Sequence, residues 1–380
     1  MLLQHIYSNE ILRPAFGRTQ DDKERIMIRV AINGYGRIGR IAHRVILEKG
    51  KRDIEIVAIN AGGSTDIKGW MYLLKYDTAY GPLINHNIQV DDKKDPIDHE
   101  QLIGHLIIDG QSIPVFSEKD PSLLPWKELE VDVVIESTGA FRDAVDLKKH
   151  IDAGAKAVVL SAPVHPAERG GGEEVPTYVI SVNEQNFRGE TLISNASCTT
   201  NCITPVAKVM EAHFGIEKAM MTTVHGYTSD QRLQDGGHKD YRRARAAGEN
   251  IIPTSTGATE AAAKALPSLA GKFAGLALRV PVISGSLSDF TFLLKKQTTV
   301  EQINAIFTQE AQNPGYQGVL TVTQDPIVSS DIIGSPFSAV IDLSLTQVVG
   351  GNLVKVIAWY DNEYGYANRL VEEVVMVGKK

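Results

Sequence analysis

Apolar residues along this chain fall into two rhythms, and the change from one to the other divides it. From Met27 onward, short β-branched runs alternate with longer stretches whose apolar positions recur every three or four residues. Ile28–Ile32 predicts a strand, Arg37–Glu48 a helix and Ile54–Ile59 a second strand, together a βαβ unit. Val131–Glu136, Ala157–Leu160 and Tyr178–Val182 predict further strands, and Ala144–Ala153, closed by Gly154, predicts a helix among them. Uniformly apolar runs are buried on both faces, so residues 27–196 read as a doubly wound parallel sheet covered by helices, an α/β domain. After residue 197 the order changes. A helix over Thr199–His213 is followed by extended runs at Ala219–Val224, Gly275–Pro281, Ser286–Lys295, Ala339–Leu345 and Leu353–Trp359. Strand upon strand predicts an α+β domain over 197–362 with a largely antiparallel sheet. The amphipathic segment Asn368–Val377 predicts a closing helix, and residues 363–380 are assigned to the first domain.

Residues 1–26 break this regularity and read as an N-terminal extension. They lack the basic start and long apolar stretch of a secretory signal, and Asp21, Asp22 and Glu24 do not suit a transit peptide. A solvated appendage and a start codon upstream of Met27 both account for them. At 380 residues, two domains are expected. Hydrophobic residues at 43% and charged ones at 22% place the chain among globular proteins. A net charge of -7 argues against general attraction to nucleic acid or anionic membrane. No apolar run reaches the roughly 18 residues a membrane helix needs. With only Cys198 and Cys202, a disulfide framework is excluded and a reducing cytoplasm is expected. No metal-ligand cluster is read.

The first crossover carries chemistry. Gly34-Tyr35-Gly36-Arg37-Ile38-Gly39 fits G-x-G-x-x-G between a predicted strand and a predicted helix. The first glycine permits a tight turn, the second lets backbone approach a pyrophosphate, and the third allows close helix packing. The N–H groups opening the helix would face the phosphates, which makes this the dinucleotide site of a Rossmann domain. The same fingerprint expects an acidic residue at the end of the second strand, to bind ribose hydroxyls. Here the strand runs into Asn60-Ala61-Gly62-Gly63-Ser64, with Ala61 where a carboxylate would select NAD. The small residues leave room for a 2′-phosphate, so NADP is expected to be accepted, unless Asp66 swings in and restores NAD.

The strongest signal is Ser194-Asn195-Ala196-Ser197-Cys198-Thr199-Thr200-Asn201-Cys202, running into a predicted helix. A thiol at a helix N-terminus beside an imidazole is shifted toward the thiolate. Cys198 is therefore the candidate nucleophile, and His225, ending the run Ala219–Val224, the candidate base. Cys202, one turn on, reads as a packed helix residue.

The order of short motifs resembles the phosphorylating glyceraldehyde-3-phosphate dehydrogenases. Ser-Cys-Thr-Thr-Asn-Cys is followed by Thr-Thr-Val-His-Gly-Tyr-Thr, and agreement extends through Leu-Leu-Lys-Tyr-Asp at 73–77, Glu-Ser-Thr-Gly at 136–139, Ser-Thr-Gly-Ala at 255–258, Leu-Arg-Val-Pro at 278–281 and Trp-Tyr-Asp-Asn-Glu at 359–363. The resemblance implies that the Cys198 thiolate attacks an aldehyde and that His225 takes the hydroxyl proton as hydride leaves for the nicotinamide. Inorganic phosphate then releases the thioester as an acyl phosphate. It implies that Thr228 and Arg279 hold the substrate phosphate, that Ser197, Thr199, Thr256 and Gly257 hold the inorganic one, and that Arg243 serves both. Arg243 is chosen by spacing within Tyr241-Arg242-Arg243-Ala244-Arg245, and Arg242 and Arg245 remain open. For the cofactor it implies Arg37 and Ile38 at the pyrophosphate, Ser161 near the nicotinamide ribose, Asn362 on the carboxamide and Tyr366 stacked nearby. It also implies a homotetramer, with residues 225–250 near a neighbour's cofactor.

Two departures stand out. Gly236-Gly237 replaces a frequent Leu-Pro, removing bulk beside the 2′ position as Ala61 does, and Ile-Ser-Gly-Ser at 283–286 replaces Pro-Asn-Val-Ser, leaving the strand geometry there open. The nearest rival is an erythrose-4-phosphate dehydrogenase, which generally releases the acid by hydrolysis. The retained Thr228 and Thr256-Gly257 disfavour it. A catalytically idle scaffold is disfavoured by the intact Cys198 and His225.

Overall fold

The computed structural model describes residues 27–50, 53–92, 100–165 and 174–380, so the extension 1–26 lies outside the described residues. The first sheet is assembled from β1 (Ile28–Asn33), β2 (Ile54–Asn60), β3 (Ile88–Asp91), β4 (Leu102–Ile108), β5 (Gln111–Phe116), β6 (Val133–Glu136), β7 (Ala157–Leu160) and β8 (Leu192–Ser194). Helices α1 (Arg37–Val45), α2 (Ile67–Lys75) and α3 (Ala144–Asp152) make its crossovers. The strand order is β3-β4-β5-β2-β1-β6-β7-β8, parallel except where β3 and β4 form an antiparallel edge. Val30, Ile32, Val134, Ile135, Val158 and Val159 are fully buried, as two-sided coverage demands. Because β1 pairs with β2 on one side and β6 on the other, the chain reverses direction across the sheet there. The loops after β1 and β6 therefore open a crevice at the carboxyl ends of the strands.

The second sheet, in the order β10-β11-β9-β12-β16-β14-β13, uses β9 (Ile216–Gly226), β10 (Ile252–Thr254), β11 (Phe273–Val280), β12 (Ser286–Leu294), β13 (Leu320–Thr323), β14 (Ala339–Asp342) and β16 (Leu353–Tyr360), with β15 (Gln347–Val349) on β16. It is antiparallel apart from the β9–β11 and β13–β14 pairs. Helix α4 (Cys198–Phe214) buries Cys202, Val206 and Met210 against Phe290, Phe292 and Val354 of this sheet. Helices α5 (Ala258–Ala265) and α6 (Val300–Glu310) flank it. The last helix, α7 (Tyr364–Gly378), returns to the first core, where Leu370 and Val374 join Val30, Ile41 and Val45.

Three expected elements differ. The helix opening at Arg37 ends at Val45 and continues as a wider π turn over Ile46–Gly50. Tyr178–Val182 is not a strand. Only Thr177 bridges Ser194, and the sheet's last strand is β8. Asn183 explains the difference: its side chain accepts from Val179 N (2.8 Å) and donates to Thr177 O (2.9 Å), closing the segment into a turn. Val179 and Val182 are apolar because they pack against Ala265. The run Ala339–Leu345 is a strand only to Asp342, whose carboxylate accepts from Ser344 N (3.2 Å) and caps a 3-10 turn over Leu343–Leu345.

Candidate active site

The nucleophile is set by a sharp exit from the first sheet. After β8 the chain passes through Ala196, a fully buried residue with φ of 54°, a left-handed conformation held by its surroundings. Ser197 then caps α4, its hydroxyl accepting from Thr200 N at 3.0 Å. Cys198 is the first helical residue, half-buried, where the unpaired N–H groups converge. Its Sγ lies 3.4 Å from Nε2 of His225, which the end of β9 delivers from 27 residues away. Nδ1 of His225 lies between Gly226 O (2.7 Å) and Nη1 of Arg279 (2.8 Å), and the tautomer that donates to Gly226 O is the one that leaves the Nε2 lone pair facing the sulfur.

Charge is disfavoured on each partner alone. Burial pushes the Cys198 thiol above its ordinary value, against the opposing pull of the Arg279 guanidinium, the Thr199 hydroxyl and backbone N–H groups. His225, only 3% exposed, is pushed down to about 3 by burial and by Arg279, whose Nη1 lies 2.8 Å from Nδ1. Moving the proton from Sγ to Nε2 creates both charges together, each offsetting the other's burial cost.

The phosphate candidates gather behind this pair. Arg243, not Arg242 or Arg245, reaches the site: it donates to Asp230 Oδ2 (2.7 Å) and to Thr254 Oγ1 (3.0 Å), whereas Arg245 is exposed on Asp235 and Arg242 is exposed. The Thr228 hydroxyl also donates to Asp230, so this carboxylate occupies the donors that an incoming phosphate would use. Thr256 and Gly257 open α5, whose first residue meets α4 through Thr200 Oγ1 and Ala258 O at 3.4 Å; two helix N-termini thus converge. Thr199 departs from expectation. Its hydroxyl turns inward to Tyr360 OH (3.0 Å), which also meets Thr223 (2.8 Å) and sets its ring edge against His225.

From Cys198 a cleft of about 820 Å³ runs to the dinucleotide turn, lined by Gly36, Arg37, Ile38, Ser161, Ser197, His225, Thr228, Asn362 and Tyr366. The glycines divide the work. A Cβ on Gly34 would lie 2.5 Å from Thr138 N and one on Gly39 2.2 Å from Gly34 O, so both serve close packing. A Cβ on Gly36 would meet nothing within 4 Å and would project into open space where a pyrophosphate fits. The Arg37 guanidinium is committed elsewhere, to Asp77 (2.5 Å) and Glu363, so only its backbone N–H remains for phosphate. Tyr366 OH donates to Ala196 O at 3.2 Å, tying α7 to the turn before the nucleophile. At the neutral end, Ala61 N donates to Phe116 O (2.8 Å), and Asp66 caps α2 by accepting from Gly69 N (2.8 Å). Thr138 and Arg142 also line the cleft, though neither was assigned a role in the sequence. The position of Glu-Ser-Thr-Gly after a central parallel strand was the signal for Thr138. Buried Glu136 accepts from Thr138 N (2.7 Å) and Oγ1 (2.5 Å) and fixes that loop.

A dinucleotide crevice that ends on a cysteine and a histidine is the architecture of a cysteine-dependent nicotinamide oxidoreductase. Residues 28–144 match the family described as glyceraldehyde 3-phosphate dehydrogenase, NAD binding domain, and residues 197–362 match its C-terminal domain. The chain belongs to the glyceraldehyde-3-phosphate dehydrogenase family. It is 49% identical over 355 residues to glyceraldehyde-3-phosphate dehydrogenase 2 of Streptomyces avermitilis, covering 93% of this chain and 99% of that one. It is 50% identical to the Thermotoga maritima glyceraldehyde-3-phosphate dehydrogenase (93% and 100% covered) and 46% identical to the chloroplastic A form of Chlamydomonas reinhardtii (93% and 89%). Among the described residues no helix is long and apolar enough to cross a membrane.

Proposed function

We propose that this enzyme carries out the reversible oxidative phosphorylation of D-glyceraldehyde 3-phosphate to 1,3-bisphosphoglycerate. The observation that carries the reading is Sγ of Cys198, at a helix start, 3.4 Å from Nε2 of His225 on the floor of a dinucleotide cleft. Residues 27–196 with 363–380 form the cofactor domain, and 197–362 the catalytic domain. Cys198 loses its proton to His225 and adds to the aldehyde carbon; His225 then holds or takes the proton of the new hydroxyl. The Cys198 N–H and the His225 ring stabilise the oxyanion. The bound nicotinamide supplies the hydride acceptor. Thr228, Arg279 and Arg243 hold the substrate phosphate after displacing Asp230, and Ser197, Thr256 and Gly257 line the place of the attacking phosphate. An anion on Arg279 also offsets the positive charge that disfavours imidazolium at His225, so substrate binding favours the ion pair.

NAD or NADP is the cofactor, and Ala61, the committed Asp66 and Gly236-Gly237 support acceptance of NADP. A homotetramer in the cytoplasm is proposed, with small-molecule partners only. The phosphate ligands argue against erythrose-4-phosphate as the substrate. The decisive assay follows reduced nicotinamide with glyceraldehyde 3-phosphate, with and without inorganic phosphate. Turnover should require phosphate and vanish in Cys198→Ala; phosphate-independent steady-state turnover, or an active Cys198→Ala enzyme, would reject this reading.

A further inference from the structure

The segment Ile283-Ser284-Gly285-Ser286 leads into β12 beside the cleft, which Ile283 lines. Gly285 has φ of 89°, and a Cβ on it would lie 2.0 Å from Ser329 O, so glycine alone fits this turn into β12. Both flanking serines are buried and both reach the side chain of Asn362. Ser286 Oγ donates to Asn362 Oδ1 at 2.7 Å. Ser284 Oγ lies 3.3 Å from the same oxygen and 3.0 Å from Asp361 Oδ1, which takes the better share of its proton. Asn362 itself is only 4% exposed, lines the cleft, and its Nδ2 makes no hydrogen bond to any described residue.

We propose that Ser286, backed by Ser284, is a positioning residue that fixes which end of the Asn362 amide faces the cleft. The direction comes from the backbone. Gly226 N donates to Ser286 Oγ at 3.2 Å, so the serine's own proton must find another acceptor, and Asn362 Oδ1 is that acceptor. Turning the amide over would set its NH₂ against the hydroxyl and leave the serine proton without a partner. The amide is thus held with oxygen inward and NH₂ outward, and the cleft presents a donor only. Gly226 follows His225, so the relay from Gly226 N–H through Ser286 to Asn362 joins the strand of the base to the amide.

This inference rests on the reading in which Asn362 meets the carboxamide of the nicotinamide. A donor there demands an acceptor, which the carboxamide oxygen supplies. The 3-acetylpyridine analogue of the cofactor keeps that oxygen but lacks the amide N–H groups. In the intact enzyme the contact is therefore available to both. In Ser286→Ala the Asn362 amide is free to turn: the natural carboxamide can pair with either end, the acetyl group with only one.

The test compares kcat/KM for the natural cofactor and the analogue in wild type, Ser286→Ala and Ser284→Ala/Ser286→Ala, with iodoacetamide alkylation of Cys198 as a check on the site. The ratio of natural to analogue should rise about two-fold in Ser286→Ala, the factor by which the competent one of two amide orientations is diluted, and Ser286→Cys, which keeps a weak donor, should recover part of it. An unchanged ratio overturns the proposal, whether or not the cofactor KM moves, since general loosening of the site penalises both cofactors alike. Asn362→Ala separates the two layers: if it leaves the KM of both cofactors unchanged, the reading of Asn362 itself fails.

Discussion

At the scale of single residues, burial governs the chemistry more than sequence neighbours do. His225 and His43 are both buried and both pushed down to about 3; His43 is also hydrogen-bonded through Nδ1 to Tyr35 OH at 2.7 Å. In the unfolded chain each ring titrates near 6.5, so between about 6.5 and 3 the unfolded state binds more protons than the folded one. Stability is therefore fully present above about pH 6.5 and lost as pH falls toward 3, at up to about 1.4 kcal/mol per pH unit for each ring. Denaturant titrations from pH 7 to pH 4 should show this loss, and His43→Gln should make the decline shallower; an equal slope in the variant would refute the assignment to that ring. Cofactor choice is decided at the same scale. A carboxylate in place of Ala61 would face the 2′ position, so Ala61→Asp should lower kcat/KM for NADP at least about ten-fold, in line with the cost of burying like charges together, and spare NAD. Asp66→Ala should leave that preference alone and cost about 1 kcal/mol of stability as a lost N-cap. The types and places of Cys198 and His225 were legible in the sequence because they follow strand ends. The directions of Arg37 and Thr199 were not, because each is aimed by a partner far along the chain: Glu363, 326 residues away, and Tyr360, 161 away.

At the scale of elements, the glycine turn after β1 shows how one motif carries two duties that respond differently to the same change. Gly34 has φ of 96° and no room for a Cβ; Gly36 has ordinary dihedrals at a helix cap and open space before it. Gly34→Ala should therefore lower the melting temperature strongly, by strain and by collision with Thr138 backbone. Gly36→Ala should fold with little change in melting temperature yet raise the cofactor KM about ten-fold or more, because the methyl group stands where backbone approaches the pyrophosphate. Calorimetry alongside KM measurements separates the two, and a Gly36→Ala enzyme with normal KM would place the pyrophosphate elsewhere. The βαβ unit was legible because its apolar runs match strand and helix periods at once. The antiparallel edge of β3–β5 and the turn at Tyr178–Val182 were less so. The first has too little contrast between faces, and the second hides a loop behind an apolar run that packs between cores.

At the scale of the whole molecule, the second sheet leaves one face uncovered. Along β9 the residues Ala219, Met221, Thr223 and His225 point to the buried side beneath α4, while Met220, 69% exposed, and half-buried Thr222 and Val224 point away. On β11, Leu276, 45% exposed, stands beside Thr222 in the ladder, and Ile251, just before β10, is 68% exposed. An antiparallel sheet with one solvated face normally turns polar residues outward; an outward row of Met, Val, Leu and Ile calls for another surface. The proposed occupant is a second copy of this chain, meeting face to face so that the same row lies on both sides, as a two-fold interface requires. The loop after β9 also exposes Tyr241 (87%), which would add apolar surface to such a contact. Sedimentation of the wild type should give the mass of a four-chain assembly, and Met220→Asp/Leu276→Asp should reduce it by burying like charges against each other across the two-fold. Alkylation of Cys198 should persist in the dissociated variant, because the thiol, its imidazole and its helix start all lie within one chain. A wild-type protein that sediments as a monomer, or a double variant that keeps the full assembly, would show that this face has a different purpose.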